Sequence, residues 1–464
     1  MRPLFVRNGR VVDPSQGLDT IAHVLISGGK VQAVGRDIAP PEGAQELEAS
    51  GLVVCPGFVD LHVHLREPGE EEKETIATGA LAGVRGGFTT LCAMPNTLPP
   101  IDTPALVEMV LRRGGEVGLA RVLPIACVSK GRLGKELAEL VALARAGAVA
   151  FSDDGSPVAD PSLMRAALHY STLTGLPVIN HLEERSLARG VAHEGWVASR
   201  LGLPGIPPQA EEAMAYRDIA LCALTGGRLH LAHISTLGTV EALRRAKEQG
   251  LPVTAETTPH HLCLTDQWLL GRQGQGSPFD PLTPHAYDTH CKVNPPLRSP
   301  PHRDALQRAL REGVIDAIAT DHAPHTAVDK MSTFQEAAFG ISGLETAFAL
   351  CYTVLVGQGV LPFSRLIEAL TIGPARVLGE KGKGLGSLRP GSWGDLVLLD
   401  LGARWTVDPS CFASKGKNTP LTGMTLQGRV VATVVGGRVV HDARGQPPLA
   451  GESSVAPGKE ATVP

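Results

Sequence analysis

With 464 residues, 43% of them hydrophobic, the chain can build one large domain plus a smaller one, and general disorder is excluded. Its 43 basic and 47 acidic residues leave a net charge of -4 without a basic run, which argues against nucleic acid as a partner. The eight cysteines (Cys55, Cys92, Cys127, Cys222, Cys263, Cys291, Cys351 and Cys411) are scattered without a C-x-x-C pair, so reduced thiols in a cytoplasmic protein are expected rather than disulfides.

The chain opens without the charged start, apolar stretch and small-residue cleavage site of a secretory signal. No uninterrupted apolar run reaches the ~20 residues of a membrane span. Residues 1–56 read as short strands, L-F-V-R-N-G-R-V-V, H-V-L-I-S-G-G-K-V-Q-A-V-G and L-V-V-C-P-G, with Asn8-Gly9 and Gly28-Gly29 as hairpin-type turns. Similar runs return within residues 380–444, in D-L-V-L-L-D from Asp395 and R-V-V-A-T-V-V-G-G-R-V-V-H from Arg429. The two ends are therefore expected to join in one small β-sandwich domain.

Between them, over residues 57–379, apolar strand-like runs alternate with helix-like stretches. Eight such runs begin at Phe58, Phe88, Ala120, Ala148, Pro177, Arg228, Pro252 and Ala317, which predicts a closed (β/α)8 TIM barrel rather than an open sheet. P-A-L-V-E-M-V-L-R-R from Pro104 has proline near its start and apolar residues at helical spacing. Gly384-Leu385-Gly386 precedes a strand rather than linking a strand to a helix, so it reads as a turn and not a nucleotide cradle. A Gly/Pro-rich insertion over residues 271–291 reads as a loop, with His285 and His290 solvated, and residues 445–464 as a disordered tail.

Within V-D-L-H-V-H-L-R-E-P-G, strand alternation would place His62, His64 and Arg66 on one face and Leu61, Val63 and Leu65 on the other. Two imidazoles at this spacing can hold a divalent metal, and the arginine can clamp an anion beside it. Polar residues at the C-terminal ends of barrel strands converge on one site. Those ends supply His62, His64 and Arg66, then Asn96, Asp153 with Asp154, His181, His233, and finally Asp321 and His325. Taken singly, Asp153 and Asp154 could be turn formers before Gly155, and His181 or His233 a satisfied core histidine. Together, four imidazoles and two carboxylates make a ligand set for two zinc-like ions sharing one carboxylate.

The strings D-L-H-V-H-L-R-E-P-G, A-M-P-N-T, F-S-D-D-G, A-H-I-S-T, T-P-H-H-L, N-P-P-L-R, A-T-D-H-A-P-H and F-G-I-S-G-L-E-T resemble the signatures of dihydroorotase, in its long bacterial type within the amidohydrolase superfamily. The resemblance runs to about Arg444 and implies interconversion of L-dihydroorotate and N-carbamoyl-L-aspartate in pyrimidine synthesis. It implies that His62, His64 and Asp321 hold one metal, His181 and His233 a second, and Asp154 bridges them. Asp154 is preferred to Asp153 from the family's spacing to the fifth-strand histidine. His64, Arg66, Asn96, His325, Asn294 and the Phe339-Gly340 loop match substrate contacts. Many relatives bridge their metals with a carboxylated lysine, which F-S-D-D-G does not offer.

The chemistry expected is attack by a metal-bound hydroxide on a polarised amide carbonyl, with Asp321 moving the proton to the departing nitrogen. A hydantoinase-like or allantoinase-like specificity is the runner-up. The rival from another class is a silent structural partner of aspartate transcarbamoylase. A homo-oligomer is expected.

Overall fold

The computed structural model describes residues 2–271 and 282–444. Each of the eight apolar runs forms a strand: Phe58–Val63, Phe88–Ala93, Arg121–Ala126, Ala150–Phe151, Val178–Asn180, Leu229–Leu231, Val253–Thr257 and Ala317–Ile318. They pair in parallel in chain order. A parallel bridge between Val63 and His322 closes the ring, supported by the His64 amide donating to His322 O at 2.9 Å. Apolar residues on both sides of these strands are buried, as parallel strands covered by helices require.

The helix Pro104–Val117 shows how local chemistry sets the outer layer. Proline supplies the φ of the first turn, Val107, Val110 and Gly114 form its buried face, and Gly118 ends it in the left-handed region with φ 62°. Gly114 is required there, since a Cβ would stand 2.7 Å from Val122 Cβ.

Simple alternation does not hold in the first barrel strand. Its register against the second strand shifts between Asp60 and Val63, and Leu61 joins an inner cluster with Val59, Cys92 and Ile125, whereas Val63 and Leu65 join the outer one. The strand stops at Val63, so His64 and Arg66 project from the segment beyond it, with Arg66 in the left-handed region at φ 61°. Tertiary pairing with His322 orients this stretch, and strand pleating does not.

The chain ends form a second eight-stranded sheet. Five strands come from the first part of the chain (Leu4–Asp13, Leu18–Ser27, Lys30–Gly35, Gln45–Glu48, Val53–Pro56) and three from the last (Leu396–Thr406, Thr425–Val435, Arg438–Asp442). The halves join where Val53–Pro56 runs antiparallel to Leu396–Leu399, and Val6, Val24, Ile26, Val54, Leu398 and Val434 share a core of their own.

Gly28-Gly29 makes the expected hairpin turn, with both φ values positive. Asn8-Gly9 does not turn the chain. It is a bulge inside Leu4–Asp13, because that strand continues to pair with Leu18–Ser27 on both sides of the shift. Gly9 is needed because a Cβ there would lie 2.4 Å from Val54 Cγ2.

All eight cysteines are free. The insertion follows a packed helical turn, Asp266–Leu270, whose Trp268, Leu269 and Leu270 are buried. His285 is exposed and His290 half-buried beside Asp288, while residues 272–281 and the expected tail at 445–464 lie outside the described residues.

Candidate metal centre

The imidazoles and carboxylates gathered from the strand ends meet around Asp154. Its Oδ2 lies 3.3 Å from His62 Nε2 and 3.6 Å from His64 Nε2, and its Oδ1 lies 3.4 Å from His233 Nε2 and 3.7 Å from His181 Nδ1. Asp321 Oδ1 sits 3.0 Å from His64 Nε2 and 3.6 Å from His62 Nε2. A tetrahedral ion with bonds of about 2.0–2.1 Å keeps its ligand atoms roughly 3.3–3.4 Å apart, so this spacing suits donors sharing a cation.

Two groupings that could hold an ion share His62: His62 with His64 and Asp321, and His62 with Asp154 and His233. The first is the trio expected from the sequence. His181 and His233 come together with Asp154 as well: His181 Nδ1 lies 3.0 Å from His233 Nε2, and the two nitrogens lie 3.7 and 3.4 Å from Asp154 Oδ1. His62 Nε2 and Asp154 Oδ1 are buried without hydrogen-bond partners, which is the condition of atoms whose natural partner is a cation. The donor set therefore fits a divalent metal. Burial opposes charge on Asp154, but His62, His181 and His233 outweigh it and hold its carboxyl well below the usual range.

Asp153 faces the other way. Its Oδ1 accepts from the amides of Val128 and Ser129 at 2.9 and 3.1 Å, and Oδ2 accepts from the Ser129 hydroxyl, so it anchors the loop after the third strand.

Further polar groups orient the imidazoles. His62 Nδ1 donates to Glu256 Oε1 at 2.8 Å, which turns the Nε2 lone pair into the site. Glu256 also faces His230, 3.2 Å away. Burial works against ionisation of Glu256, yet hydrogen bonds from His230 and His62 bring its pKa down to about 2. His64 Nδ1 donates to Asn96 Oδ1 at 2.8 Å, leaving the Asn96 amide N–H groups available. Asp60 accepts from the amides of His62 and Thr320, at 3.1 and 3.0 Å, and from the Thr320 hydroxyl at 2.6 Å, tying the first strand to the eighth. Burial lifts its carboxyl to about 7 against those hydrogen bonds.

The backbone is unusual here too. Arg66, His233 and Asp321 all have positive φ, at 61°, 30° and 47°, a conformation non-glycine residues adopt only when their surroundings impose it.

The remaining predicted contacts lie on one side. Arg66 is buried, with Nε directed at Pro324 O, 3.3 Å away, and Nη2 3.4 Å from His325 Nε2. His325 donates from Nε2 to Phe339 O at 2.8 Å, which leaves Nδ1 unpartnered, and burial with the nearby Arg66 charge pulls its pKa down to about 3. Gly340 has φ 144°, and a Cβ would meet Ala323 O at 2.6 Å, so only glycine fits. The Phe339 ring lies beneath the Lys292 ammonium, 4.3 Å away. Asn294 Nδ2 reaches Glu183 Oε2 at 2.6 Å and His181 Nε2 at 3.3 Å.

Known proteins resemble this chain over nearly its whole length. Residues 53–440 match the Amidohydrolase family. A dihydroorotase from Anaeromyxobacter dehalogenans is 53% identical over 440 residues, spanning 95% of this chain and 98% of that one. A dihydroorotase from Pelotomaculum thermopropionicum is 47% identical over 442 residues, 95% of this chain and 99% of that one. The chain belongs to the dihydroorotases.

Among solved structures, the L-hydantoinase (dihydropyrimidinase) of Arthrobacter aurescens superposes with a TM-score of 0.82 at 27% identity, covering 95% of this chain and 96% of that one. The dihydropyrimidinase of Brevibacillus agri, at 24% identity and a TM-score of 0.78 over 95% of both chains, shares the fold. This dihydroorotase-family chain has no helix among the described residues long and apolar enough to cross a membrane.

Sequence reasoning missed Asp60, Glu183 and Glu256. Asp60 and Glu256 each carry charge inside an apolar strand run, a signal that could have found them. Glu183, beyond the fifth strand, gives no such signal.

Proposed function

We propose that the protein catalyses the reversible hydrolysis of L-dihydroorotate to N-carbamoyl-L-aspartate, in the synthesis of pyrimidine nucleotides, with two divalent ions, most suitably zinc. The observation that supports this is the position of Asp154, whose two oxygens each face a different pair of imidazoles in a chain 53% identical to a named dihydroorotase. His62, His64 and Asp321 would hold one ion, His181 and His233 the other, and Asp154 both. When bound, such ions lower the pKa of water from about 15.7 to about 7 and polarise an amide carbonyl.

The chain's own residues do the rest. Asp321 accepts a proton from the attacking water and delivers it to the ring nitrogen as the C–N bond breaks; in ring closure the proton returns by the same route. The Arg66 guanidinium, a planar fork matched to two carboxylate oxygens, takes the substrate carboxylate together with an Asn96 N–H. His325 and Gly340 shape the wall beside it, and Asn294 with Glu183 borders the second imidazole pair.

The test is to assay pure protein with dihydroorotate, hydantoin and allantoin while measuring bound metal. Preferential turnover of dihydroorotate with up to two ions per chain is expected. Preference for hydantoin would move the protein to the runner-up activity, with which the L-hydantoinase superposition is compatible. A cytoplasmic homo-oligomer, with aspartate transcarbamoylase as a partner, is part of the same proposal and rests on the family resemblance. Co-elution of the two purified enzymes tests the partnership.

A further inference from the structure

Behind the wall that carries Phe339 and Gly340, two lysines are buried side by side, Lys292 at 2% and Lys330 at 4% exposure. Lys292 Nζ donates to Gln335 O at 2.8 Å and Ala337 O at 2.7 Å. Lys330 Nζ donates to Ala338 O at 2.7 Å, Thr289 O at 3.1 Å and Lys292 O at 3.4 Å. Among the described residues neither ammonium pairs with a carboxylate, so backbone carbonyls are the hydrogen-bond acceptors of both, with the Phe339 ring 4.3 Å from Lys292 Nζ. Burying such charge is costly unless all its N–H bonds are used, so two such lysines together call for a reason.

The carbonyls they hold supply one. From Ala337 to Gly340, four consecutive carbonyls are each taken by a different side chain: Lys292, Lys330, His325 and Asn418. The Gly340 amide in turn donates to Lys292 O at 2.9 Å. Three segments are thereby tied together. One leads from Thr289 into Asn294, one carries His325 into the short helix Ala327–Lys330, and one is the 335–340 loop.

We propose that Lys292 and Lys330 are positioning residues for substrate recognition, their buried ammonium groups cross-tying the segments that carry Asn294, His325 and Phe339-Gly340. This rests on the dihydroorotase reading. A loop that must present backbone to a small ring cannot wander, and glycine at 340 removes the side chain that would otherwise pin it. The lysines replace that restraint from behind. Because their ammonium groups reach backbone oxygens, the tie fixes the loop's path whatever its side chains are.

The experiment uses Lys292→Met and Lys330→Met in the full chain, with kcat and KM for dihydroorotate, zinc content and amide hydrogen exchange of residues 335–340. Loss of a charge-assisted contact should raise KM about tenfold, with faster loop exchange and unchanged zinc. The kcat should change by less than about threefold, since no reacting atom is touched. If a methionine variant does not fold, Lys330→Arg is read in the same way: it keeps the charge, but a planar guanidinium cannot match three carbonyls arranged for one ammonium. Unchanged exchange, or an unchanged KM beside faster exchange, overturns the proposal, as does loss of zinc in step with activity. Wild-type protein inactive on dihydroorotate would instead overturn the functional reading, and that is seen before any variant is made.

Discussion

The rim of the barrel and the sheet made from the chain ends treat polar atoms in opposite ways. At the rim, buried atoms of His62, Asp154 and His233 lack hydrogen-bond partners, and Arg66, His233 and Asp321 hold left-handed backbone. The chain-end sheet has no such orphan among the described residues. Its region buries charge only with complete partners: Asp395 accepts from Arg121 Nε and Nη2 at 3.0 and 3.2 Å and from the Gly436 amide at 2.6 Å, while Lys30 and Arg121 flank the Trp393 ring. A region that only has to stay folded satisfies its polar groups internally. A region that has to hold ions and substrate leaves donors and acceptors unspent, and the satisfied parts hold it in place.

That contrast can be broken most severely at the metal ligands. The His62→Ala/His64→Ala double variant should lose one ion and lower activity by about a thousandfold or more while the chain stays folded. Retained activity with full metal content would end the assignment.

Next in size is substrate charge. Dihydrouracil lacks the carboxylate that Arg66 and Asn96 would take, and the lost contact should cost roughly 2 to 5 kcal/mol in relative kcat/KM. Equal turnover of the two compounds would exclude the carboxylate grip.

Adjacent aspartates sharpen the comparison within a single turn. Asp154→Ala should weaken binding at both metal sites, whereas Asp153→Ala should leave metal content nearly unchanged and cost about 1–3 kcal/mol of stability through the released Val128 and Ser129 amides. Because Asp154 is already a carboxylate, depleting bicarbonate during metal reconstitution should change nothing. A bicarbonate requirement, or greater metal loss in Asp153→Ala, would place the bridge elsewhere.

Smaller still is Glu256→Gln. It removes the acceptor charge that orients His62, and metal affinity should fall by about 10- to 100-fold, as titration with a competing chelator would reveal. The smallest effect belongs to the satisfied region. Arg121→Ala should leave kcat and KM alone and lower unfolding free energy by about 1–2 kcal/mol in a denaturant titration, because Asp395 keeps its bond from Gly436. A change in zinc content in that variant would show the two regions to be coupled.

Much of this was legible in the sequence because it follows from local chemistry. Eight apolar runs alternating with helix-like stretches dictate a parallel barrel, since strands buried on both faces cannot alternate with polar residues. Ligand types at the ends of those runs name the candidates, because barrel topology brings strand ends to a common rim whatever lies between them. The paired strands of the two chain ends also announced themselves, as neither set could bury a face alone.

Tertiary structure decided whatever depends on contacts distant in sequence. Asp153 and Asp154 are chemically identical neighbours, and only the amides of Val128 and Ser129 on one side and the imidazoles on the other give them different directions. Asn8-Gly9 carries a hairpin signal but serves as a bulge, because a long partner strand pairs through it and Val54 fills the space beside Gly9. Pleating suggested a common face for His62, His64 and Arg66. It was His322 and Pro324, more than 250 residues away, that set where the chain leaves the strand and turns the arginine inward, since hydrogen bonds across the closing barrel outweigh the local preference of a strand end.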